Sequence, residues 1–282
     1  MCLLVALFKQ IPGYPLVVAA NRDEFLERPA VPMAVLQDTG PRILGGRDEL
    51  AGGTWLAVNE HGLIAALTNF PSPTRDPARR SRGELPIALA SHRDAKTAAA
   101  AFAQAYRPAD YNPAWILVGD RESLFYIDFT QGDFAPARPL EPGTHVLENR
   151  PLDPPSAKAA YVADLARAVS ASESASESAS VSASVSASVS ASASFLVNAL
   201  SAILSCHDIP PGIPPGIPPD SRRPREIEAP CVHADSFNYG TRSASIVFVG
   251  DDPTRLPTFL YSDGPLCRAE LLDSAPYGRR GG

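Results

Sequence analysis

Cysteine is scarce in this 282-residue chain. The four that occur, Cys2, Cys206, Cys231 and Cys267, lie far apart with no C-x-x-C spacing. Neither a disulfide framework nor a structural zinc site is expected from that pattern, and reduced thiols point to the cytoplasm. Long apolar runs are missing too: none reaches the ~18 residues of a membrane span. The apolar start, residues 2–8, has no basic residues before it and no small-residue cleavage site after it. It reads as a buried strand and not as a signal peptide. Basic residues are outnumbered, 25 Lys and Arg against 31 Asp and Glu, a formal charge of −6. That argues against nucleic acid as the main partner. What remains is ordinary globular composition, 45% hydrophobic and 20% charged, in one domain over residues 1–282. Proline is the excess, 29 residues, about twice the usual share.

Strand-like runs alternate with turn signals in the first 150 residues. Residues 2–8 and 14–20 flank a Pro-Gly turn. Residues 54–58 with 63–68, and 115–118 with 124–129, read as two more hairpins. Two helices fit between them, at 84–91 and 95–106, the second with Asp94 as its N-cap. An amphipathic helix follows at 156–169, where Tyr161, Leu165 and Val169 recur at i, i+4 and i+8. In residues 170–194 Ser occupies every even position, with Ala, Glu or Val between. Such a segment buries almost nothing, and disorder is expected of it. A helix resumes at 195–205. An Ile-Pro-Pro-Gly repeat over 209–220 then predicts an extended connector. Strands at 244–249 and 258–261 close an α+β chain of about eight strands and four helices.

Several groups of residues carry chemistry. Met1 precedes a small residue, so its removal would make Cys2 the N-terminus. A terminal Cys carries its own base, an α-amine of pKa ~7.7–8.0 that can take the thiol proton and return it to a leaving group. Read alone, Cys2 is more simply a small buried residue at a strand start. Asn21-Arg22-Asp23-Glu24 abruptly ends the second strand. If the first two strands pair, this group returns to Cys2, where Arg22 could lower the thiol pKa and Asp23 or Glu24 hold an ammonium; the bland reading is a solvated turn. Asn69, before Phe70-Pro71, could donate to an oxyanion or merely sit in a turn. Asn149 ends a second short strand in the same way. Tyr239-Gly240-Thr241-Arg242-Ser243 could place Arg242 over an anionic group. The five histidines show no metal-ligand spacing to one another, and His207 beside Cys206 lies in a loop.

Taken together, Met1-Cys2, Asn21-Arg22-Asp23-Glu24, Gly45-Gly46-Arg47-Asp48, Gly53-Thr54-Trp55, Leu67-Thr68-Asn69-Phe70, Ser81-Arg82-Gly83 and Tyr239-Gly240-Thr241-Arg242-Ser243 resemble the NRDE, or transport and Golgi organisation 2, family. The resemblance runs from residue 1 to about 250 and leaves residues 170–194 and 209–220 as insertions. It implies a four-layer αββα sandwich of the N-terminal nucleophile hydrolase type. It is similar in pattern to penicillin V acylases and bile-salt hydrolases, and so implies Cys2 as nucleophile, Asn69 and Asn149 as oxyanion donors and Arg242 as a late active-site cation. One departure is plain. Those hydrolases space Arg and Asp by two residues, whereas Arg22 and Asp23 are adjacent and cannot both keep that geometry without a change of register. Three readings follow. The first is an amidohydrolase acting on a small acyl amide, requiring no cofactor. The second is a carrier that holds haem or a lipid in the same pocket, with Cys2 or His61 as candidate haem ligands. The third is a scaffold recruited through the Ser- and Pro-rich insertions. The site motifs are rich in polar residues, which favours the enzyme.

Overall fold

The computed structural model describes residues 2–71, 75–179, 185–211 and 224–278. In chain order the strands are β1 (Leu3–Ile11), β2 (Tyr14–Phe25), β3 (Ala30–Gln37), β4 (Ile43–Asp48), β5 (Leu56–Asn59) and β6 (Ile64–Asn69). The helices α1 (Glu84–Ala90) and α2 (Ala95–Ala105) follow, and then β7 (Ala114–Gly119), β8 (Leu124–Phe129), β9 (Ala137–Pro139) and β10 (Gly143–Leu147). Helices α3 (Ala157–Ala179) and α4 (Val185–Leu204) lead to β11 (His233–Ala234), β12 (Tyr239–Val249), β13 (Thr258–Ser262), β14 (Leu272–Asp273) and the short α5 (Ala275–Gly278).

The strands form two antiparallel sheets. One runs β10-β1-β2-β12-β13-β14 with β11 on the edge of β12, and the other runs β3 through β9 in order. Period-two alternation sorts the side chains of β1 and β2. Leu4, Ala6, Phe8, Leu16, Val18 and Ala20 enter the core between the sheets, against Leu56, Val58, Ile64 and Trp115 of the second sheet. Leu3, Val5, Leu7, Val17 and Ala19 turn the other way, under Val162 and Ala166 of α3 and Leu196, Leu200 and Ile203 of α4. Helices α1 and α2 cover the outer face of the second sheet through Leu85, Leu89, Ala98 and Phe102. The result is the four-layer αββα sandwich. No described helix is long and apolar enough to cross a membrane.

All three expected hairpins are present, and so is the Asp94 cap, whose carboxylate accepts from Thr97 N at 2.7 Å. The structure has more strands than the sequence pattern indicates. Residues 30–48 form β3 and β4, whose glycines and partly exposed positions obscure any alternation, and packing against β5 stabilises them. The expectation of disorder over 170–194 also differs from what is seen. Helix α3 continues to Ala179 and α4 begins at Val185, with 180–184 outside the described residues. Alanine is the best helix former, and the Ser170 and Ser172 hydroxyls donate back to the Ala166 and Ala168 carbonyls, so Ser-Ala alternation extends helices already anchored in the core. Most of the Ile-Pro-Pro-Gly repeat, from residue 212 onward, lies outside the described residues.

Candidate active site

Three neighbouring strands converge on Cys2. The β1–β2 register pairs Leu3 with Asn21, which brings Cys2 opposite Arg22. On the other side β10 pairs Leu147 with Leu4, which brings Asn149 alongside Cys2. The Cys2 backbone N–H donates to Asn149 Oδ1. One Asn149 amide proton goes to the Asn69 carbonyl, and Thr68 Oγ1 donates to the Glu148 carbonyl at 2.7 Å. These bonds tie the end of β6, in one sheet, to the end of β10, in the other. The two strand-ending asparagines therefore meet at one place, and Asn69 keeps its side-chain amide without a hydrogen bond among the described residues.

Arg22 is buried between the sheets. Its guanidinium lies 4.3 Å from the Trp55 ring centroid and 3.4 Å from Asp48 Oδ2. Asp48 is held chiefly by Arg28, at 2.6 and 3.1 Å to its two oxygens, and accepts from the Leu50 and Ala51 N–H groups. Burial raises the Asp48 carboxyl, but the Arg28 hydrogen bonds and the Ala51 N–H outweigh it and leave the group below the usual carboxylate range. Two glycines allow close approaches here. A Cβ on Gly46 would sit 2.1 Å from the Trp55 ring, and Gly53, at φ +79°, passes too close to the Gly83 backbone to carry one.

Asp23 is treated differently. Alternation turns its side chain to the helix face, where Oδ1 accepts from Thr241 Oγ1 at 2.7 Å. Burial pushes its carboxyl up, while the chain's terminal ammonium and the buried Lys158 of α3 pull it back. At Cys2, Asp23 acts in two opposed ways: its charge raises the thiol, and its backbone N–H favours the thiolate. Burial nevertheless dominates at the sulfur and pushes the Cys2 thiol up, against the terminal ammonium, that N–H and the Arg22 cation. Arg22 and Asp23 thus serve opposite faces of one strand. Arg242 falls at an irregularity in β12, between Thr241 opposite Asp23 and Ser243 opposite Arg22. Its Nε is buried without a hydrogen-bond partner among the described residues.

Three groups belong to this neighbourhood that the sequence did not single out as site residues. Arg82 donates to the Pro113 carbonyl at 2.8 Å; burial, then Arg75, brings its pKa down to about 10, and the Cys2 charge acts on it. Its signal was the Ser81-Arg82-Gly83 motif. Lys158 is fully buried, with Nζ 3.0 Å from the Ile227 carbonyl. Glu148 is buried beside Asn149 and accepts from Ser156 Oγ. Neither has a sequence signal beyond its charge. A separate cleft of about 220 Å³, lined by Arg42, Leu44, Leu256, Phe259 and Ala275, includes the end of β4 opposite Asp48 and none of these residues.

A strand-borne cysteine at the start of β1, facing the space between two sheets that helices cover on both sides, defines the N-terminal nucleophile hydrolase fold. Solved structures share that architecture. Two variants of the conjugated bile acid hydrolase from Clostridium perfringens superpose with TM-scores of 0.52 and 0.53, at 10% identity. They match 100% and 99% of this chain and 95% of each hydrolase. The chain itself belongs to the Transport and Golgi organisation 2 family, whose model matches residues 1–256. The Transport and Golgi organization 2 homologues of Mus musculus and Homo sapiens are each 41% identical over 92 residues, 30% of this chain. The matched segment spans 33% of the length of these curated relatives.

Proposed function

We propose that the protein is an N-terminal-cysteine amidohydrolase that cleaves a small acyl amide through Cys2. The observation that carries this reading is the hold on the Cys2 nitrogen. Asn149 Oδ1 accepts its N–H, so removal of Met1 would leave an α-amine already oriented at the sulfur. That amine takes the thiol proton. The sulfur attacks the amide carbonyl, with the Asn69 side chain within the same strand-end cluster as donor to the developing oxyanion. The proton passes to the leaving amine as the C–N bond breaks, and water then hydrolyses the thioester. In this reading Asn149 is a positioning residue for the amine, since its oxygen is engaged by the Cys2 N–H. Arg22, and Arg242 beside it on β12, supply positive charge. Exposed Leu50 and Phe70, on the loops at this end of the sandwich, suit an acyl chain. No resident cofactor has a role in these steps.

One observation supports the carrier reading, in which the pocket holds haem or a lipid without chemistry: burial pushes the Cys2 thiol up. The deciding experiment compares the purified chain with one bearing a short N-terminal extension. The N-terminal mass, the pH dependence of Cys2 alkylation and turnover of a panel of chromogenic acyl amides are measured on both. The hydrolase reading expects Met1 to be absent, Cys2 to react with an apparent pKa below ~8.5 only when its amine is free, and turnover to fall on the order of 10³-fold or more in Cys2→Ala. A retained Met1, or a thiol equally inert in both chains, sinks it. Haem and acyl-ligand binding that survives Cys2→Ala would then favour the carrier.

A further inference from the structure

Outside the Cys2 site, four side chains from three distant stretches of chain converge. His207 follows the end of α4, Cys231 and His233 flank the start of β11, and Cys267 lies between β13 and β14. One ligand atom from each lies within 4.8 Å of all the others. Cys231 Sγ is 3.8 Å from Cys267 Sγ and 3.6 Å from His233 Nε2, and His233 Nε2 is 3.2 Å from Cys267 Sγ. The His207 and His233 rings stand nearly perpendicular, with centroids 4.9 Å apart.

These separations have a chemical meaning. A tetrahedral zinc ion with Zn–S of about 2.3 Å and Zn–N of about 2.0–2.1 Å requires S···S edges of about 3.8 Å and S···N edges of about 3.6 Å. The three edges among Cys231, His233 and Cys267 fall at or inside those values, and the His207 ligand atom lies within 4.8 Å of each. Two thiols and two imidazoles are also the donor set that selects zinc among common divalent ions. Four protein ligands close the coordination sphere, which marks a structural ion and not a catalytic one.

We propose that His207, Cys231, His233 and Cys267 form a structural zinc site that clips the end of α4, β11 and the β13–β14 loop together. The clip bears on the Cys2 neighbourhood through short links. Cys231 N donates to the Cys206 carbonyl at 2.8 Å, and Val232 N donates to Thr241 Oγ1 at 2.9 Å, the hydroxyl that holds Asp23. The Asn21 side chain donates to both the Leu204 and Pro230 carbonyls, at 2.8 and 3.0 Å, and so bridges the same two segments from beneath. Zinc at the surface would therefore stabilise the backbone that positions Asn21, Asp23 and Thr241, whether or not Cys2 is a nucleophile.

The test uses the full chain purified under reductant. Metal is counted by mass spectrometry of the digested protein, and cobalt is added to the stripped protein to read the visible absorption of a tetrahedral thiolate site. One zinc per chain is expected, with a thiolate-to-cobalt charge-transfer band. His207→Ala and Cys267→Ala should each weaken zinc affinity by more than the roughly 10–100-fold that outer-shell changes cost. Circular dichroism verifies that each variant is folded. If Cys267→Ala does not fold, His207→Ala decides, because that ring is exposed. Metal-free protein with both thiols open to alkylation and no cobalt spectrum would overturn the proposal. So would stoichiometric zinc indifferent to His207→Ala, or a Cys231–Cys267 disulfide that persists under reductant.

Discussion

Adjacent residues on a strand face opposite ways, and at Arg22-Asp23 that rule divides the work of a motif. Arg22 goes to the inter-sheet side with Trp55 and Asp48, and Asp23 goes to the helix side with Thr241. The sequence showed that both could not occupy the hydrolase positions; the alternation shows which one shares the Cys2 side. Asp48 is the residue whose charge this arrangement depends on most. Its pKa is depressed in the folded state, so its contribution to stability is fully present above the unfolded value near 3.8 and is lost as pH falls through the lower folded value. Asp48→Asn is expected to lower stability by about 2 kcal/mol at pH 7, a charged hydrogen-bonded pair being worth roughly that. The gap to the unsubstituted protein should narrow as the pH drops below about 4. Urea denaturation at both pH values measures it, and a gap that does not change would mean that the carboxylate charge is not what matters.

At the scale of elements, the site depends on two glycine-bearing segments passing close to their neighbours. Gly46 in β4 leaves room for the Trp55 ring, and Trp55 in turn carries the Arg22 guanidinium. Gly46→Ala would put a methyl inside that ring and move the indole. An overpacking cost of about 1–3 kcal/mol is expected, together with a changed fluorescence of Trp55, one of only two tryptophans in the chain. An unshifted spectrum and denaturation midpoint would show that the ring has room the structure does not indicate. The glycine pairs were legible in the sequence as turn-permitting residues near a site. Their actual role, yielding space to one aromatic ring and to the Gly83 backbone, was not legible, because the ring and that backbone come from other segments.

The whole molecule extends past its family signature. The family model ends at residue 256, yet β13 begins at Thr258 and pairs with β12, and Phe259 and Tyr261 enter the core between the sheets. Ending the chain after residue 256 removes those two rings and leaves the β12 edge unpaired, a template for association. It also removes Cys267 from the four-residue cluster. The truncated chain is expected to lose cooperative unfolding and to bind hydrophobic dye at neutral pH. A sharp transition within about 1 kcal/mol of the full chain would show that β13 is dispensable.

What the sequence determined by itself was local and periodic: the three hairpins, the capped helix α2, and the linear motifs that mark the family. Each depends on residues within a turn or a strand of one another, where propensity and alternation act directly. The described parts of the Ser-rich stretch, 170–179 and 185–194, show the limit of that reasoning, since their helical form follows from helices anchored on either side. Tertiary structure alone decided which residues meet. Cys2, Arg22 and Asn149 are neighbours because three strands align in register. His207, Cys231, His233 and Cys267 converge although no sequence spacing joins them. Contacts between distant segments depend on strand register and layer packing across the whole sandwich, and neither is written in any single stretch of chain.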